Sequence, residues 1–230
     1  MPRNSKLNGL SAAIAITALF TATSASAFLV TTGGTAALKQ GLVSSVPNAI
    51  TTDFNSGLMP AGYAGGSVVT GNSVGNWASP PGDKSYYLAV GPASPAVISL
   101  GSLASYFGYY GGSPDSYNSI QLLLGGAIVE NYSGVQLAGF ARVATDGNWG
   151  TGAYWNFTAA NSNEWFDTVK MISTKPAFET DNHAVLFAAQ EPQLHTFSVL
   201  SPVPEPQTYG MMLAGLGLMG FMAHRRRKIS

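Results

Sequence analysis

From residue 49 to residue 188, short runs of β-forming residues recur, each closed by a cluster of Gly, Pro, Asp or Asn. No long stretch carries a helical period with good helix formers. A chain punctuated in this way cannot build long helices, and it can bury a core by pairing short strands. Strands are expected over 49–54, 67–70, 85–90, 96–100, 105–110, 119–124, 135–143, 152–157, 166–172, 184–188 and 194–200. Turns are expected at Gly65-Gly66, Pro80-Pro81-Gly82-Asp83, 111–115 and Asp146-Gly147-Asn148, which supply positive-φ or proline-fixed positions. The expected fold is all-β: a two-sheet β-sandwich of jelly-roll type spanning 49–202. Residues 28–48 read as a weakly structured arm or one added edge strand.

Both ends of the chain are processing segments. Arg3 and Lys6 precede an apolar stretch, and Ala25-Ser26-Ala27 supplies an A-x-A cleavage pattern, so 1–27 reads as a signal peptide helix with cleavage before Phe28. Export through the Sec translocon follows. At the other end, Val203-Pro204-Glu205-Pro206 is held extended by its two prolines. Residues 207–223 are apolar and would form ~25 Å of helix, near the lower limit for a bilayer span. Arg225, Arg226, Arg227 and Lys228 then act as a basic stop that stays on the cytoplasmic side. The formal GxGxxG at 215–220 lies in this helix, without the strand and βαβ context that a dinucleotide site needs.

Residues 203–228 resemble a PEP-CTERM sorting signal: Pro-Glu-Pro, a transmembrane helix and a basic tail in order. The resemblance implies recognition by an exosortase. It also implies transient residence in the inner membrane of a Gram-negative bacterium and delivery to the cell surface or the exopolysaccharide matrix. By analogy, cleavage falls near Pro204–Pro206. A retained tail would instead give a periplasmic protein anchored in the inner membrane. A second resemblance, to exosortase-dependent surface proteins of β-sandwich type, rests on Tyr86-Tyr87-Leu88-Ala89-Val90, on residues 105–118 and on Phe178-Glu179-Thr180-Asp181-Asn182-His183. It is similar in style to lectin-like and carbohydrate-binding modules, and it brings no catalytic residues with it.

With both basic ends removed, residues 28–202 hold five basic and ten acidic side chains, a net charge of −5. That balance, without a basic patch, argues against a nucleic-acid partner. Cys is absent, which excludes disulfides, thiol catalysis and cysteine zinc sites. Gly71-Asn72-Ser73-Val74-Gly75 matches a nucleophile elbow in letters only, since no helix pattern follows it. His183 and His195 read as strand histidines, and Glu164 with Asp167 as solvated strand ends. The chain is therefore expected to be non-catalytic, with an exported polysaccharide hydrolase as the alternative. No cofactor is expected beyond a structural calcium ion held by Asp53 and Asp181, whose strands would be neighbours in a jelly roll. Trp149, Trp155 and Tyr109 are the rings expected to stack on sugar, with Tyr109 facing away from Tyr106 and Tyr110 by strand alternation.

Overall fold

The computed structural model describes residues 28–147 and 149–188, which belong to one compact unit. The signal segment 1–27, the strand expected at 194–200 with His195, and the sorting tail lie outside the described residues. Thirteen strands form in chain order: β1 (Leu29–Thr32), β2 (Thr35–Ala37), β3 (Gly41–Val43), β4 (Ile50–Thr52), β5 (Tyr63–Ala64), β6 (Ser67–Thr70), β7 (Tyr86–Val90), β8 (Ala96–Gly111), β9 (Asn118–Leu124), β10 (Ala127–Ser133), β11 (Ala153–Thr158), β12 (Phe166–Ser173) and β13 (Phe178–Phe187). One helix, α1 (Gly134–Ala141), and a short 3-10 turn (Ser162–Glu164) complete the set.

Eleven strands share one antiparallel sheet that curls around its own interior. The curl comes from β8, a single strand of 16 residues where two shorter ones were expected. Its first half pairs with β12 on one side and β5 on the other. Its second half pairs with β11 and β13. Between the halves, Gly101 adopts φ 74°, a conformation that lets the strand turn without a Cβ clash. The body is thus mostly β, as expected, and its hydrogen bonding runs continuously through β8 rather than stopping between two sheets.

Phe107 and Tyr109 of β8 face the interior, where Leu88, Ile120, Leu122, Trp155, Phe157, Phe166, Val169 and Phe178 meet them. Each such side chain contributes on the order of 1.5–3 kcal/mol by leaving water. Tyr106 and Tyr110 face the opposite side with Tyr154, as alternation requires, yet they too are buried. The cover is the N-terminal arm. β1 adds to the edge of β11, and the β2–β3 hairpin and the residues after it lay Leu42, Val46 and Ala49 over the outer tyrosines. Gly41, at φ 67°, lies so close to Tyr110 that a Cβ there would fall 2.0 Å from the ring.

The strand expected over 135–143 is corrected. Residues 127–133 form β10, and α1 follows. Ser133 and Gln136 make a capping box: the Gln136 N–H donates to Ser133 Oγ (3.4 Å), and the Ser133 N–H donates to Gln136 Oε1 (2.9 Å). Two helix donors are satisfied locally, which outweighs the β-branched residues at either end of the segment. Arg142 closes the helix in the left-handed conformation.

Candidate functional site

Four connections converge at one end of the sheet: residues 71–85 between β6 and β7, residues 112–117 after β8, residues 143–152 between α1 and β11, and residues 174–177 before β13. Between them lies a cleft of about 70 Å³ whose lining includes Trp77, Tyr117, Trp149, Ser113, Asp115 and Glu179. Hydrogen bonds tie the connections together. Asp115 Oδ2 accepts from Tyr117 Oη (2.8 Å) and Ser113 Oγ (3.2 Å), and its Oδ1 accepts from the Gly147 N–H (2.9 Å). Asp146 Oδ1 accepts from both the N–H and the hydroxyl of Ser116 (2.9 Å each). Those bonds hold the Asp146 carboxyl below its ordinary pKa, the Ser116 backbone bond being the largest cause. The two aspartates thus fix the 143–152 connection and present Trp149, which is 62% exposed.

Glu179, the second residue of β13, forms part of the cleft. Its Oε1 accepts from the Ala78 N–H (2.8 Å), anchoring the opposite wall. Burial pushes this carboxyl up to about 7, against the lowering effect of that bond, and the charge of Asp115 adds to the rise. A carboxyl poised near neutrality beside a second carboxylate is an arrangement that binds hydroxyls and can also move a proton. Trp77 is half-buried against Tyr87, Ala89 and Ala177, and its indole N–H has no partner. Lys175 covers one face of Tyr117 at 5.4 Å from the ring centre.

Two of the three rings assigned to sugar stacking are corrected. Trp155 is 1% exposed and Tyr109 0%, stacked on each other with centroids 5.4 Å apart. Trp155 also donates from Nε1 to the Leu137 carbonyl of α1 (3.0 Å), so the helix missing from the sequence reading is what seals it inside. Trp149 alone of the three reaches the cleft. The rim residues Trp77 and Tyr117 and the carboxylates Asp115 and Glu179 were not singled out for a site. Tyr117, Asp115 and Glu179 lie in the segments 105–118 and 178–183, which the fold brings to one cleft with Trp77 of the 71–85 connection.

The remaining candidates take structural positions. Ser73 accepts from Asn76 Nδ2 (2.9 Å) and pairs with Trp77 in a tight turn between positive-φ Gly71 and Gly75, with no helix after it. His183 is a strand histidine, on β13, and it is fully buried rather than half-buried or at the surface. Its Nδ1 meets the Tyr63 hydroxyl (3.1 Å) and its Nε2 meets Thr180 Oγ1 (2.9 Å). Burial lowers its pKa to about 3, so the ring is neutral. Glu164 accepts from the Ala160 N–H (2.7 Å) and Asp167 from the Gly125 N–H (2.9 Å), so each braces a different loop.

The expected calcium pair separates. β4 and β13 are adjacent, with Thr52 opposite His183, as the jelly-roll argument required. Asp53, however, is exposed and turns its carboxylate onto Asn55, accepting from its N–H (3.2 Å) and its Nδ2 (2.8 Å) in a local Asx turn. Asp181 is buried, and the carboxylate it approaches is Asp83. Among the described residues, no three His, Cys, Asp or Glu side chains cluster as a metal site.

Residues 202–227 match the PEP-CTERM protein-sorting motif. That motif defines a class: exported proteins of Gram-negative bacteria processed at the membrane by an exosortase. This chain carries the exosortase-substrate signal on its last tenth, with Pro-Glu-Pro, apolar segment and basic end in order. No curated protein matches the chain. Among the described residues, no helix is long and apolar enough to cross a membrane.

Proposed function

We propose that the mature protein is a non-catalytic, glycan-binding component of the cell surface or exopolysaccharide matrix, delivered by the Sec translocon and released from the membrane by an exosortase. The observation that carries the binding reading is the exposed Trp149 ring on a cleft lined by Asp115, Glu179 and Ser113. Flat rings stack on the apolar face of a sugar while carboxylates and N–H groups take its hydroxyls, the pattern of a small-ligand site with few placed polar groups. The mostly β body favours a lectin-like module. The anionic balance of residues 28–202 fits a neutral or basic glycan better than an acidic one.

A second reading follows from one observation. Glu179 holds its proton to about pH 7 beside Asp115, as a general acid would, which favours a polysaccharide hydrolase. One experiment separates the two. Exopolysaccharide from the producing strain is presented to wild type and Trp149→Ala, with release of reducing ends assayed in parallel. Retention that is lost in Trp149→Ala, without turnover, is the expected result. Turnover lost in Glu179→Gln would establish the hydrolase instead, and equal retention of both proteins would remove the cleft from the function.

A further inference from the structure

The 71–85 connection does more than wall the cleft. At its far end the turn Pro80-Pro81-Gly82-Asp83, closed by the Asp83 N–H onto the Pro80 carbonyl (3.0 Å), drives Asp83 down onto β13. Asp83 is 5% exposed and Asp181 0%. Asp83 Oδ1 accepts from the N–H (2.8 Å) and hydroxyl (2.5 Å) of Ser85, whose Oγ also lies 3.5 Å from Asp181 Oδ2. A serine hydroxyl has one proton, and here it goes to Asp83. The other oxygen of each acid, Asp83 Oδ2 and Asp181 Oδ1, is buried with no partner. The neighbouring hydroxyls are committed elsewhere, Tyr87 Oη to the Gly71 carbonyl, Tyr110 Oη to the Pro81 carbonyl and Tyr154 Oη to the Asn182 carbonyl, which leaves the Asn182 N–H as the backbone donor to Asp181. Asp53 adds further negative charge from just past β4.

We infer that Asp83 and Asp181, with Ser85 Oγ between them, form a binding site for a hard divalent cation of the Ca²⁺ type. Buried carboxylates do not stay unpaired at such cost. Oxygen-only donors select Ca²⁺ or Mg²⁺ over Zn²⁺, which takes nitrogen or sulfur readily. The protein supplies fewer oxygens than the six to eight that Ca²⁺ takes, so affinity falls in the range of extracellular modules, roughly 0.1–1 mM. The ion would clamp the 71–85 connection to β13 in a chain without disulfides. Its presence does not depend on what the cleft binds.

The test uses the full-length protein in detergent, melted in EGTA and in Ca²⁺ or Mg²⁺ at pH 6 and pH 8. Ca²⁺ at ten times its Kd should raise Tm by about 3–6 °C. The rise should be larger at pH 8, where the ion no longer competes with protons. Asp83→Asn and Asp181→Asn relieve repulsion and should fold; each should lose the Ca²⁺ response, whereas Asp53→Asn should keep it. A wild-type Tm indifferent to Ca²⁺ would overturn the site. In that event a Tm that falls as pH rises towards 8 in Glu179→Gln as well, and not in Asp83→Asn, would show that the two acids share a proton instead. A response that survives both Asp83→Asn and Asp181→Asn would equally overturn it.

Discussion

Trp149 and Trp155 stand six residues apart and do opposite things. Trp155 lies on β11, a paired strand with both faces covered: the curled interior on one side, the N-terminal arm on the other. Trp149 lies on a connection held by Asp115 and Asp146, where no layer remains to cover it. Residue type does not separate the two, and neither does the glycine-rich turn they flank. Pairing does. A ring on a central strand of this body is enclosed from both sides, and a ring on the loops at the cleft end is left to solvent.

The largest test of that contrast is Trp155→Ala, which should cost about 3–5 kcal/mol in chemical denaturation. A cost below 1 kcal/mol would mean that the ring is not enclosed. Next comes Glu179. Its carboxyl titrates near 7 folded against an ordinary 4.5, so its contribution to stability is complete below pH 4.5 and is lost as pH rises through 7. Glu179→Gln should flatten that decline and leave the protein more stable than wild type at pH 8. The slope from Asp181 should persist, because burial and the charge of Asp83 raise that group to about 8. If the two pH profiles superimpose, Glu179 does not hold its proton in the fold. Ser133→Ala should cost about 1 kcal/mol by removing the cap of α1, the helix that receives the Trp155 N–H. Smallest of all, Trp149→Ala should change stability by less than about 0.5 kcal/mol, as expected of an exposed residue, while abolishing glycan retention.

Much of the strand pattern was legible because turn residues are explicit. β6 lies where the alternation placed it, and β7, β9, β11 and β12 differ from expectation only at their ends. The opposed facing of Tyr109 and Tyr106 was also readable. What could not be read was that both faces are buried, because the covering arm at 28–48 has little β pattern of its own. It is fixed by tertiary bonds, such as Asn182 Nδ2 donating to the Gln40 and Leu42 carbonyls (2.7 and 3.0 Å). Asn182 itself sits at φ 50° in a bulge of β13, so the strand is kinked there and starts six residues before the one expected at 184–188. The Asp53–Asp181 pairing failed for a related reason. Adjacent strands bring backbones together, but Asp53 lies just past its strand and bonds locally, while the 71–85 connection folds back to deliver Asp83.

The central claim is that a two-ended precursor becomes a released, cleft-bearing β body. The direct measurement is the intact mass of the protein recovered from the extracellular fraction of an exosortase-bearing host. A chain beginning at Phe28 and ending near Pro204–Pro206 is the predicted result. A membrane-bound chain that still carries residues 207–228 would contradict it.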